Sequence, residues 1–217
     1  MTVKGIYNEN EFYTFNYWQN KLAERVKDEA DRVADLEAKI KEMRKLNKDF
    51  WQLKEKQQAQ QLKAFNGEFL QLLEYRVQPT DFTTKQDRYI TAFIENKDLK
   101  CFYLNTDEKG DFEPPAYNEV DNSDEKPIDM RSLNEIIGEE LDGSHAPEWI
   151  LVCAVNALFV LQKGKWLFGR YIRVEWQDIF MQSEQEPYRF IFTLFSKQAL
   201  APEDKQSLHS ELDAESH

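Results

Sequence analysis

Residues 149–176 read WILVCAVNALFVLQKGKWLFGRYIRVEW, and the fold class turns on them. Residues 148–154 and 157–162 are apolar runs of strand length on either side of Asn156. Lys163-Gly164-Lys165 supplies the next turn, and YIRVEW (171–176) alternates as a half-buried strand. Upstream, RYITAFIE (88–95) and LKCFYL (99–104) flank the turn-like Asn96-Lys97-Asp98, which predicts a β-hairpin. Residues 132–141 read as a short helix with Ser132 as N-cap and Glu135 completing a capping box. Residues 177–182 and 188–195 have helical apolar spacing. Together these runs predict an α+β protein with a small mixed or antiparallel sheet and flanking helices.

The N-terminal third is helical in pattern. Leu22, Val26, Val33, Leu36, Ile40, Met43 and Phe50 recur at three- and four-residue steps, with Glu29 and Asn47 in the two gaps. So narrow a stripe on a long charged helix suits a hairpin or coiled-coil arm. Its partner is within the chain, because Trp51, Leu53, Leu62, Phe65, Phe69, Leu72 and Leu73 form a second apolar face, with Gly67 as a point of weakness. The expected organisation is a helical arm (1–80), a β-hairpin (81–104), an acidic surface loop (105–130), the rest of the α+β domain (131–202) and the cut-short start of a further helix (203–217).

Composition narrows the class. Hydrophobic residues make up 41% of the 217 positions and aromatics 13%, too many for a disordered chain. The two cysteines, Cys101 and Cys153, lie in strand-like runs and do not make a disulfide framework, so buried thiols are expected. No apolar run is long enough for a signal peptide or a membrane span, and a cytoplasmic protein without a membrane partner is expected. The net charge of −12 is unevenly spread: residues 105–142 carry 13 acids against 3 bases, and residues 203–217 carry 5 against 1. The remainder is slightly basic, so the acidic pI neither implies DNA mimicry nor excludes DNA contact.

Few residue sets carry chemistry. Zinc-ligand spacings, a P-loop and hydrolase motifs are absent, as are the glycine-rich loop and Asn-Pro-Pro-Tyr-type motif of adenine methyltransferases. No cofactor is therefore expected in this segment. Asp81 followed by Glu95-Asn96-Lys97 is compatible with a magnesium-dependent nuclease, in which carboxylates hold the ion and a lysine orients water. The plain alternative is a hairpin turn with solvated charges. A second set, Lys163, Lys165, Arg170 and Arg173, interleaves with Trp166, Phe168 and Tyr171 and has the pattern of a phosphate-contacting hairpin. Its alternative is an ordinary amphipathic strand pair with its bases in water.

Four stretches resemble a known family. Asn8-Glu9-Asn10-Glu11-Phe12-Tyr13, KWLFGRYIRVEWQDIF (165–180), SKQALAPED (196–204) and ELDAESH (211–217) are similar to segments of large bacterial restriction–modification proteins, which fuse an N6-adenine methyltransferase to other DNA-handling regions in phage defence. The resemblance covers both ends and leaves residues 15–145 without counterpart. It implies an N-terminal accessory module whose parent protein uses S-adenosylmethionine, and magnesium if it cuts. The implied partners are DNA, other domains of the same protein or defence-system subunits. The alternatives are a magnesium-dependent nuclease domain of that protein, or a protein-interaction module working through the helical arm.

Overall fold

Backbone pairing joins residues from both ends of the chain into one sheet. The computed structural model describes residues 3–31, 33–76, 83–85, 89–96, 99–104, 133–154, 156–182, 184–203 and 206–216. Among them are seven strands: β1 (Ile6–Glu9), β2 (Thr83–Lys85), β3 (Tyr89–Asn96), β4 (Leu99–Leu104), β5 (Trp149–Cys153), β6 (Ala157–Gln162) and β7 (Tyr171–Glu175). Their spatial order is β1-β7-β6-β5-β4-β3-β2. Every pairing is antiparallel except β4 with β5. A parallel pair needs a crossover, and α5 (Leu133–Asp142) lies in the connection that makes it. The chain is an α+β protein.

The two-residue period of the strands sorts their side chains into two cores. On one face Trp149, Leu151 and Cys153 of β5 align with Leu158 and Val160 of β6 and with Ile172 and Val174 of β7, all in the main core. On the other, Ile150, Val152, Phe159 and Leu161 pack with Ile137 and Leu141 of α5, and Trp166 closes the cluster. Cys101 and Cys153 are free, buried thiols on the main-core face, with sulfurs 4.0 Å apart. Burial, followed by the neighbouring thiol, pushes Cys101 well above the usual thiol pKa.

Helices cover the main-core face. They are α1 (Phe15–Asn20), α2 (Leu22–Ala30), α3 (Leu36–Trp51), α4 (Glu55–Leu72), α7 (Trp176–Phe180), α8 (Glu186–Phe195), α9 (Lys197–Leu200) and α10 (Leu208–Ser216), while the single turn α6 (Lys163–Trp166) stands with α5 on the other face, where Trp166 packs. The apolar faces of α3 and α4 meet as an intramolecular hairpin, with Phe50 stacked on Phe65 at 4.2 Å between centroids. An ion pair between Lys39 and Glu74 joins its other end. The single helix expected over residues 22–50 is instead two helices, α2 and α3. Between them Asp35 takes a left-handed backbone, φ 57°, which no helix interior accommodates. The gap at Asn47 is a polar member of the stripe: it is fully buried and donates to the Tyr188 hydroxyl of α8 at 2.9 Å. Helix α4 runs through Gly67 unbroken, and the expected turn at Lys163-Gly164-Lys165 is a single helical turn. Ser132 and the acidic stretch 105–130 lie outside the described residues.

Gly5 sets the start of β1. Its φ is +87°, its carbonyl accepts from the Glu175 amide at 2.8 Å, and an added Cβ would stand 2.6 Å from Ile179 Cγ1. Gly5→Ala therefore meets both backbone strain and a clash, and a loss of roughly 1–3 kcal/mol in urea unfolding is expected. A change within about 0.5 kcal/mol, the usual surface range, would show that β1 shifts freely.

Candidate functional site

The hexapeptide Asn8 to Tyr13 starts in the last two residues of β1 and continues as a clasped loop. Asn8 closes it, with Nδ2 donating to the Tyr13 carbonyl at 2.8 Å and Oδ1 accepting from the Tyr13 amide at 2.9 Å. Asn10 and Glu11 occupy left-handed backbone, φ 49° and 61°, inside this clasp. From the loop Asn10 Nδ2 reaches the Gly169 carbonyl at 2.8 Å, and the Phe12 carbonyl accepts from Lys165 Nζ at 2.7 Å. The Tyr13 hydroxyl meets His209 Nδ1 on α10.

His209 is the centre of this corner and is fully enclosed. Its Nε2 bonds the Leu194 carbonyl at 2.6 Å, so the Nε2–H tautomer donates there while Nδ1 accepts from Tyr13. Tyr13 lies parallel to the imidazole, and Trp149 tilts against it at 5.0 Å. Burial, first, depresses the imidazole pKa to about 4, and nearby Lys165 adds to the shift. The ring is neutral at pH 7. With both nitrogens committed and no open face, it positions α10 and is not available as a catalytic base. Further bonds close the same seam: Thr14 with Ser216, the Tyr17 hydroxyl to Glu215 at 2.7 Å, and Arg25 to Glu211 at 2.7 Å.

Three of the four stretches singled out in the sequence, 8–13, 165–180 and 211–217, thus lock together here through bonds between residues up to 164 positions apart. The remaining stretch packs beside them as α9, whose Ala199 and Leu200 are buried.

The predicted basic cluster divides in two. Lys165 lies over the Phe12 ring at 4.1 Å and pairs with Asp213. Arg173 pairs with Glu9 at 2.8 Å and with Glu175, over the Tyr7 ring. Glu9, Glu175 and Asp213 thus neutralise half of the cluster. Lys163 is exposed and Arg170 half-buried, and among the described residues neither has a carboxylate partner. Between them stand Leu167, 84% exposed, which the sequence reading passed over, and Phe168, 69% exposed, one of the aromatics interleaved with the bases. The Arg170 guanidinium lies over the Phe168 ring, 5.6 Å from its centroid.

Of the predicted nuclease set, Glu95 is on β3, whereas Asp81 and Lys97 lie outside the described residues. No group of three or more His, Cys, Asp or Glu side chains suited to a metal ion occurs among the described residues. No helix there is long and apolar enough to cross a membrane. No family model, curated protein or solved structure matches the chain.

Proposed function

We propose that this chain is a non-catalytic, DNA-handling module of a restriction–modification protein built around an N6-adenine methyltransferase. In that setting it supplies a rigid platform and a weak, sequence-independent contact to DNA, while S-adenosylmethionine, and magnesium where cutting occurs, belong to other parts of the parent protein. The resemblance of the stretches around Asn8, Lys165, Ser196 and Glu211 supports the parent class. The DNA contact rests on a single observation: the connection between β6 and β7 presents Lys163 and Arg170, neither with a carboxylate partner among the described residues, on either side of an exposed aromatic tip. Phosphate contacts of this kind hold a duplex without reading its bases.

The test is a salt series of anisotropy titrations with a short labelled duplex. Two phosphate contacts predict a log–log slope of about −2, at about −0.9 per contact. Lys163→Gln with Arg170→Gln is expected to bring the slope close to zero with the fold intact, since both side chains reach solvent. Lys165→Gln and Arg173→Gln are expected to lower unfolding stability instead, because each strands a carboxylate. A slope that persists in the Lys163/Arg170 double variant would overturn the assignment.

A further inference from the structure

The β6–β7 connection has more than charge. Leu167 and Phe168 are two of the four large hydrophobic side chains left exposed among the described residues, and they are adjacent. Asn10 fixes the turn beneath them through the Gly169 carbonyl, and Gly169 itself has φ +65°. An added Cβ there would come within 3.2 Å of Asn10 Nδ2, so the turn is held in one shape. Phe168 is thus an aromatic ring on a braced tip. One face carries a guanidinium, and the ring remains largely open to solvent.

We infer that this tip binds single-stranded DNA, with one unpaired base stacking on Phe168 and the adjacent phosphates held by Lys163 and Arg170. The inference rests on the DNA-handling reading above and narrows it to a substrate class. Every base has an open π-face when unpaired, so an aromatic platform beside two cations accepts it whatever the sequence. In a duplex the same faces are already covered by neighbouring bases. Phe168 would have to force a step apart to reach them, and two phosphate contacts offer little to offset that disruption. A protein partner fits less well, because the groups beside the tip are two cations, Lys163 and Arg170, without compensating carboxylates among the described residues.

The experiment compares three fluorescein-labelled probes of about 12 nucleotides at low salt: oligo-dT, an abasic strand with the same phosphates, and a blunt duplex. The full chain is expected to bind oligo-dT about ten-fold more tightly than the abasic strand. Phe168→Ala should abolish that preference while leaving abasic-strand binding unchanged. Because Phe168 is exposed, this variant keeps the fold, and an unchanged urea midpoint confirms it. Lys163→Gln with Arg170→Gln should weaken all three probes. If Phe168→Ala leaves the oligo-dT preference intact, or if the duplex binds as tightly as oligo-dT, the single-strand assignment is overturned while the DNA-handling reading stands. If none of the three probes binds, both readings fail. A loss of protein association on Phe168→Ala, with oligo-dT binding unaltered, would reassign the tip to a protein surface.

Discussion

Lowering the pH from about 7 to about 4 is expected to remove roughly 3 kcal/mol of folding stability through His209 alone. In the unfolded chain this imidazole takes up its proton near pH 6.5, whereas in the fold burial holds it to about 4. Between those values the unfolded state binds the extra proton and the folded state does not. The stabilising contribution is therefore complete above about pH 6.5 and is lost as pH falls toward 4. A proton on Nδ1 would also turn the acceptor of the Tyr13 hydroxyl into a donor. The charged groups facing the ring are Lys165, which opposes the imidazolium, and Asp213, which favours it but is already engaged with that lysine. Urea midpoints measured across this window read the effect. His209→Phe keeps a flat aromatic ring, loses both hydrogen bonds and should be destabilised at neutral pH, with a flatter profile between pH 5 and about 7. Carboxylates titrate in both proteins at lower pH, so the difference between the two curves isolates the histidine. Parallel curves would show that His209 takes up its proton in place.

Where local pattern decided the structure, the sequence was legible. Strands β3 to β7 follow the runs around Tyr89, Leu99, Trp149, Ala157 and Tyr171, because a strand buried on one or both faces must show alternation or unbroken apolarity. The α3–α4 hairpin was legible for the same reason, its two apolar faces lying close in sequence. The break between α2 and α3 was not, because a left-handed residue at Asp35 leaves no periodic signal. The candidate site was harder still. His209 reads as a tail residue until Tyr13, 196 positions away, is placed beside it. Apart from Glu175, two positions from Arg173, the acids that neutralise the basic cluster are remote in sequence, Glu9 being 164 residues from Arg173 and Asp213 being 48 from Lys165. A charge count along the chain registers composition, and pairing is a property of the fold. The exposure of Phe168 is illegible in the same way, since strand-flanking aromatics usually face the core.

Replacing Trp176 by alanine is expected to cost roughly 3–5 kcal/mol, a large part of the stability of a domain this size. Trp176 begins α7 at the end of β7 and is 2% exposed. Its indole meets Phe69 at 4.6 Å and the edge of Phe65 at 5.9 Å, both on α4. Phe65 in turn stacks on Phe50 of α3, so one side chain joins the sheet to the whole helical hairpin. Truncation leaves a cavity lined by rigid aromatic rings, which collapse poorly around a missing neighbour. The contribution is one of packing, because the buried indole Nε1 has no hydrogen-bond partner among the described residues. Trp176→Phe is consequently expected to cost well under half as much: it keeps much of the ring volume and removes a polar group whose desolvation is uncompensated. Urea unfolding of the two variants gives the comparison, and hydrogen exchange in α3 and α4 locates the damage. The amides of the hairpin should lose protection in Trp176→Ala before those of β5 and β6, which are held by strand pairing on both sides. An alanine variant within about 1 kcal/mol of the parent would mean that the bond between Asn47 and Tyr188, not the indole, fastens the hairpin.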